Sequence, residues 1–200
     1  MGCLCVVLIN TAIPCGAQSI ASQPSASYDL KNQALSDLRG LEQKFVDLAN
    51  CVPVDKLSWR PSPESRSFAE VFLHIAAERY VILGLAGVPV PAGFEKMIQQ
   101  KSTTDFEKST PGDRARIAEE LNKSWEFSGR TLNAMFSGDL TKPLPKPGRQ
   151  TNIGDLVYLL VADQHEHLGQ AVAYARANGI VPPWTAHAQT PPAGKTTHRK

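Results

Sequence analysis

Asp163 and His167 stand four residues apart in a long segment whose apolar residues recur at helical spacing. At roughly 100° per residue, Leu156, Leu159, Leu160, Asp163, His167, Gln170 and Tyr174 share one helical face. An acid and an imidazole one turn apart on an apolar face call for a partner. Burying a carboxylate is costly unless something compensates it, and a divalent metal is a frequent compensator. His74 lies in a second segment in which Val71, His74, Glu78, Val81 and Leu85 fall on one face. A histidine on such a face is more often a core side chain with its hydrogen bonds met. A polar cluster without metal therefore stays open beside the metal reading. Glu78, one turn after His74, and Glu166, beside His167, are the candidate general bases or further ligands. Gln170, about one turn after His167, is a candidate hydrogen-bond partner for it.

These residues need helices to hold them. Asn178-Gly179 and then Pro182-Pro183 stop the long segment, and Thr151 is a fitting N-cap for it. Ser67-Phe68-Ala69-Glu70 is a capping-box pattern that starts a second helix running to about Gly84. Before it, Leu38, Leu41, Phe45 and Leu48 make the stripe of a first helix, capped by Ser27 and ending near Asn50. Thr110-Pro111-Gly112-Asp113 predicts the start of a third long helix, which carries Ile117, Leu121, Trp125, Ser128, Leu132 and Met135 and ends near Gly138. Residues 87–109 read as a connection with one short helix near Phe94 to Gln100. Trp59, in a proline-rich loop, reads as a packing residue over the bundle end. Four long helices and no strand pattern predict an all-α fold, a four-helix bundle with long loops. Tyr158, Val161 and Val172 form a second apolar strip on the last helix. It predicts either a homodimer contact or cover by residues 87–109. His165 falls about 160° from His167 and reads as a surface residue.

The chain has 200 residues, 42% of them hydrophobic, and a net charge of +2, which suits one domain with a real core. With no basic stripe before the last few residues, nothing points to nucleic acid, and no apolar run reaches the length of a membrane span. Residues 1–27 contain no Lys, Arg, Asp, Glu or His. Their apolar stretch from Leu4 to Ile13, followed by small residues up to Ala17, is similar to a secretory signal peptide without its charged start. Residues 1–27 are thus expected to be signal and spacer, 28–184 the helical bundle, and 185–200 a disordered tail. The location follows as secreted or periplasmic, or cytoplasmic if the segment does not function as a signal. Cys51 is the one cysteine outside that segment, so stability must come from packing rather than a disulfide.

Ser58-Trp59-Arg60-Pro61, Arg66-Ser67-Phe68-Ala69-Glu70 with His74, and residues 163–170 (DQHEHLGQ) followed by Tyr174-Ala175-Arg176 together resemble the DinB-like superfamily of bacterial four-helix bundles. The resemblance covers most of the chain, from about Tyr28 to Trp184. It implies a divalent metal held by one histidine on the second helix and two residues one turn apart on the fourth. Carried onto this sequence, those positions are His74, Asp163 and His167. The common family pattern has a histidine where this chain has Asp163. Carboxylate oxygen also binds zinc, nickel or manganese, so the departure lowers the site's charge by one and leaves it usable. The resemblance further implies a metal-dependent hydrolase or a thiol transferase, with frequent homodimers. The competing expectation is a non-catalytic bundle that binds a metal or small ligand in a stress-related or interaction role.

Overall fold

The computed structural model describes residues 29–185. The Ser27 cap, the signal segment and the tail from 186 lie outside them. Six α-helices run in chain order: α1 Leu30–Cys51, α2 Phe68–Leu85, α3 Glu95–Gln100, α4 Thr104–Ser109, α5 Arg114–Ala134 and α6 Ile153–Ala177. The four long ones, α1, α2, α5 and α6, make the four-helix bundle, and no strand occurs among the described residues. The short pair α3 and α4 packs on α2.

Local chemistry explains each start. The Ser67 hydroxyl accepts from the Glu70 N–H while the Glu70 carboxylate accepts from the Ser67 N–H, the reciprocal box read from the sequence. The predicted caps of three other helices shift. Asp29 caps α1, accepting from the Asn32 N–H. Asp113, not Thr110, caps α5, because its carboxylate reaches the Arg116 N–H. Thr110 instead ends α4, and α5 stops at Ala134 rather than near Gly138. Asn152 caps α6 by accepting from the Asp155 N–H. Thr151 serves the same turn from outside, donating its N–H and hydroxyl to the Asp155 carboxylate. Gly179, at φ 71°, follows α6 in the left-handed conformation that favours glycine.

The core lies between α1 and α2, each packed on α5 and α6, with Phe45 of α1 meeting Phe72 of α2 at 6.5 Å between ring centroids. In α2 every residue but Glu70, Glu78, Gly84 and Leu85 is buried, so this helix is apolar nearly all round, as a central helix must be. Leu38, Leu41, Phe45 and Leu48 of α1 are fully enclosed, as their spacing predicts. Trp59 packs against Phe68 and Tyr174, with ring centroids 6.0 and 5.4 Å apart, and Arg60 pairs with Glu70. On the outer side of α6, His165 is exposed. Tyr158 is 68% exposed, so the 87–109 segment, docked on α2, does not cover it.

Candidate metal centre

His74 of α2 and Asp163 and His167 of α6 come together. One ligand atom from each lies within 4.8 Å of the others. His74 Nε2 is 3.0 Å from His167 Nε2, and His167 Nε2 is 3.5 Å from Asp163 Oδ1. The α2–α6 contact brings them there, and the i, i+4 spacing on α6 stacks Asp163 and His167 on one face.

The other ring nitrogens decide what the two Nε2 atoms can do. His74 Nδ1 meets Thr103 Oγ1 at 2.7 Å and Glu107 Oε1 at 2.8 Å. His167 Nδ1 meets Gln170 Oε1 at 2.8 Å, and Gln170 Nε2 donates onward to the Tyr174 hydroxyl at 2.9 Å. All these partners present acceptor oxygens, so both Nδ1 atoms carry a hydrogen, and in the neutral rings both Nε2 atoms present lone pairs. Two facing lone pairs repel unless a positive charge, a metal ion or a proton on one of the rings, sits between them. Asp163 Oδ2 is buried there without a hydrogen-bond partner, and a cation would satisfy it too. Two imidazole nitrogens on one tetrahedral zinc stand about 3.3 Å apart, close to the separation here. The donor set of two imidazoles and a carboxylate fits a divalent metal such as zinc, nickel or manganese.

The charges around the cluster follow from burial and these contacts. Burial lowers the pKa of His74, against the Glu107 hydrogen bond that favours its charged form. Burial works on His167 in the same direction, but hydrogen bonds to Asp163 and Gln170 outweigh it, and its pKa is raised. Burial alone would raise Glu107, yet hydrogen bonds from His74, Arg66 and Thr103 hold it at about 2. Glu78 is pushed up to about 7, first by burial and then by the Asp163 charge. Its Oε1 lies 3.9 Å from His74 Nδ1. Glu166 is on the exposed side of α6, and the structure does not bring it into the cluster.

The sequence reading missed Thr103, Glu107 and Arg66. The available signal was Thr103 and Glu107 at i, i+4 around the apolar Phe106, the pattern of a short helix with one inward face. A second buried group, Glu42, Arg79 and Gln164, was missed as well. Arg79 has no exposed surface. Its Nε and Nη2 donate to Gln164 Oε1 at 3.1 and 2.9 Å. Its Nη1 donates to Ser124 Oγ at 3.0 Å and to the Leu121 carbonyl at 3.2 Å. Glu42 Oε2 adds a charge contact 2.8 Å from Nη2, off the hydrogen-bond direction.

A sequence profile of the DinB superfamily matches residues 37–171, well over half of the chain. The chain belongs to the DinB superfamily. None of the curated proteins matches it in sequence. Solved structures similar to this DinB superfamily member are distant in sequence, so they speak to the fold. A DinB-like protein from Bacillus cereus is 19% identical with a TM-score of 0.63, covering 76% of this chain and 95% of its own. A conserved protein from Enterococcus faecalis is 14% identical with a TM-score of 0.61, covering 75% and 97%. YfiT from Bacillus subtilis, described as a probable metal-dependent hydrolase with an unusual four-helix bundle topology, is 14% identical. Its TM-score is 0.57, and it covers 80% of this chain and 93% of its own.

Proposed function

We propose that this DinB superfamily protein is a metal-dependent hydrolase whose divalent ion is held by His74, Asp163 and His167. One observation carries the reading: two imidazole Nε2 atoms meet at 3.0 Å beside a buried carboxylate oxygen that has no partner. The likeness to YfiT supports the choice of hydrolysis among metal chemistries. When bound, the ion would act as a Lewis acid on a substrate carbonyl or phosphoryl oxygen and make water more acidic. The protein's own part is to hold His74 and His167 with Nε2 inward and to keep the Asp163 carboxylate at the same point. Glu78 supplies the proton acceptor in this reading. Its carboxyl titrates at about 7, which suits a general base working near neutral pH. Glu166, exposed to solvent, is the weaker candidate for that role.

The test begins with metal content, measured by plasma mass spectrometry on untagged protein alongside His74→Ala and Asp163→Ala. Near-stoichiometric zinc, nickel or manganese that both substitutions abolish is the expected result. Glu78→Gln should keep the metal and lower turnover of an activated ester by about 10²- to 10⁴-fold. Protein without metal, showing no thermal shift with any of the three ions, would sink the proposal. A metal bound with no turnover of ester, amide or phosphate substrates would leave the binding-module reading in its place.

A further inference from the structure

We propose that Glu107 is the positioning residue of this centre. By accepting the His74 Nδ1 hydrogen it fixes the tautomer whose Nε2 is free to ligate, and so makes α4 part of the site. The proposal rests on His74, Asp163 and His167 being the metal ligands.

The hydrogen-bond inventory leaves His74 no alternative. Thr103 has one hydroxyl hydrogen, and it donates that to Glu107 Oε1 at 2.5 Å. Toward His74 Nδ1, 2.7 Å away, its oxygen can therefore only accept. Glu107 Oε1, at 2.8 Å, is also an acceptor. Its second oxygen takes the Arg66 Nε hydrogen at 2.8 Å, an ion pair that keeps the carboxylate charged. With two acceptors in front of it, Nδ1 must be the protonated nitrogen, and Nε2 faces His167 and Asp163 as a lone pair. A carboxylate behind a ligating histidine also makes that histidine a stronger donor to the metal.

The two histidines are held in different ways. His167 is oriented by Gln170, three residues along the same helix. His74 is oriented by Glu107, 33 residues away on another element. Glu107 and Thr103 are both buried, at 5% and 2% exposure, although they sit on a stretch of only six helical residues and its cap. Phe106, beside Glu107, packs against Phe94 at 5.5 Å between ring centroids, and Phe94 packs on Tyr80 of α2 at 4.2 Å. That aromatic run docks α4, and the docking presents the carboxylate to His74.

Two readouts test this on the full chain. Nitrogen-15 NMR of metal-free protein reports the His74 tautomer, and a competition titration with zinc(II) reports affinity. Glu107→Ala should lose the Nδ1–H tautomer and bind zinc roughly 10- to 100-fold more weakly. Glu107→Gln, whose amide oxygen still accepts, should keep the tautomer and recover most of the affinity. Arg66→Met, at a more exposed position, applies the same test without emptying the core, and should weaken zinc binding in the same direction by less. A lower melting temperature with tautomer and affinity unchanged in the Glu107→Ala and Arg66→Met variants would make Glu107 merely structural and overturn the proposal. Wild-type protein that binds no zinc, while its His74 tautomer still depends on Glu107, would instead overturn the metal reading beneath it.

Discussion

Asp163 and Gln164 are neighbours in sequence, yet they enter two buried polar clusters of opposite character. Gln164 turns to Arg79, whose guanidinium spends its hydrogens on Gln164, Ser124 and the Leu121 carbonyl and faces the Glu42 carboxylate. That cluster contains its own cation. Asp163 turns to His74 and His167, where lone pairs converge and an oxygen is left without a donor. That cluster lacks a permanent cation. α2 feeds both, through Arg79 and His74, and α6 feeds both, one residue apart. The difference teaches how to separate a structural polar core from a site: both are buried, and both leave side-chain atoms without a hydrogen bond, Glu42 and Gln164 Nε2 in one and Asp163 Oδ2 in the other, but only the first has a permanent cation among its own side chains.

The comparison can be broken at its structural side first. Arg79→Met should destabilise the fold by about 3–5 kcal/mol in urea titrations, because it leaves Glu42 buried and unpaired. Pairing it with Glu42→Leu should recover part of the loss. Neither change should affect zinc affinity in protein that remains folded. If Arg79→Met cost no more than a surface substitution, Glu42 and Arg79 would not form a self-compensated pair.

On the other side, zinc at 100 times its dissociation constant should add about 2.7 kcal/mol to unfolding stability. A chelator should remove that gain, and His167→Ala should abolish it. A wild-type protein equally stable with zinc and with chelator would show that the second cluster, like the first, holds no ion from outside. The smallest effect is expected at the origin shared by both clusters. Ser67→Ala removes the cap of α2 and should cost about 1 kcal/mol, while zinc affinity stays within error. Loss of affinity there would mean that the cap, and not only the side chains, sets the position of His74.

The periodicity of α6 made Asp163 and His167 legible, because their i, i+4 relation is local; that of α2 put His74 on an inward face, and the family resemblance joined it to them. The capping box at Ser67 was legible because it too is local. Arg79 and Gln164 were not. A charged residue on a helix reads as solvated unless its partners are known, and these are Glu42 on α1, Ser124 on α5 and Gln164 on α6. Glu107 was hidden differently: residues 87–109 lack a long period, and α4 is held by contacts with α2 rather than by its own propensity. The start of α5 slipped because Thr110 and Asp113 both suit an N-cap, and only the three-dimensional course of the chain chooses between them.

The position of α2 at the centre of the bundle also separates two timescales. Amide hydrogens in its middle, enclosed by α5, α6 and the α3–α4 pair, should exchange only when the whole domain opens. Those of α4, a helix of only six residues packed on α2, should exchange through small local openings. On that expectation His74 would ride on a slowly exchanging element while its orienting carboxylate would ride on a faster one. The residence time of a bound ion would then be set by how often α4 lifts, and not by how often the fold comes apart.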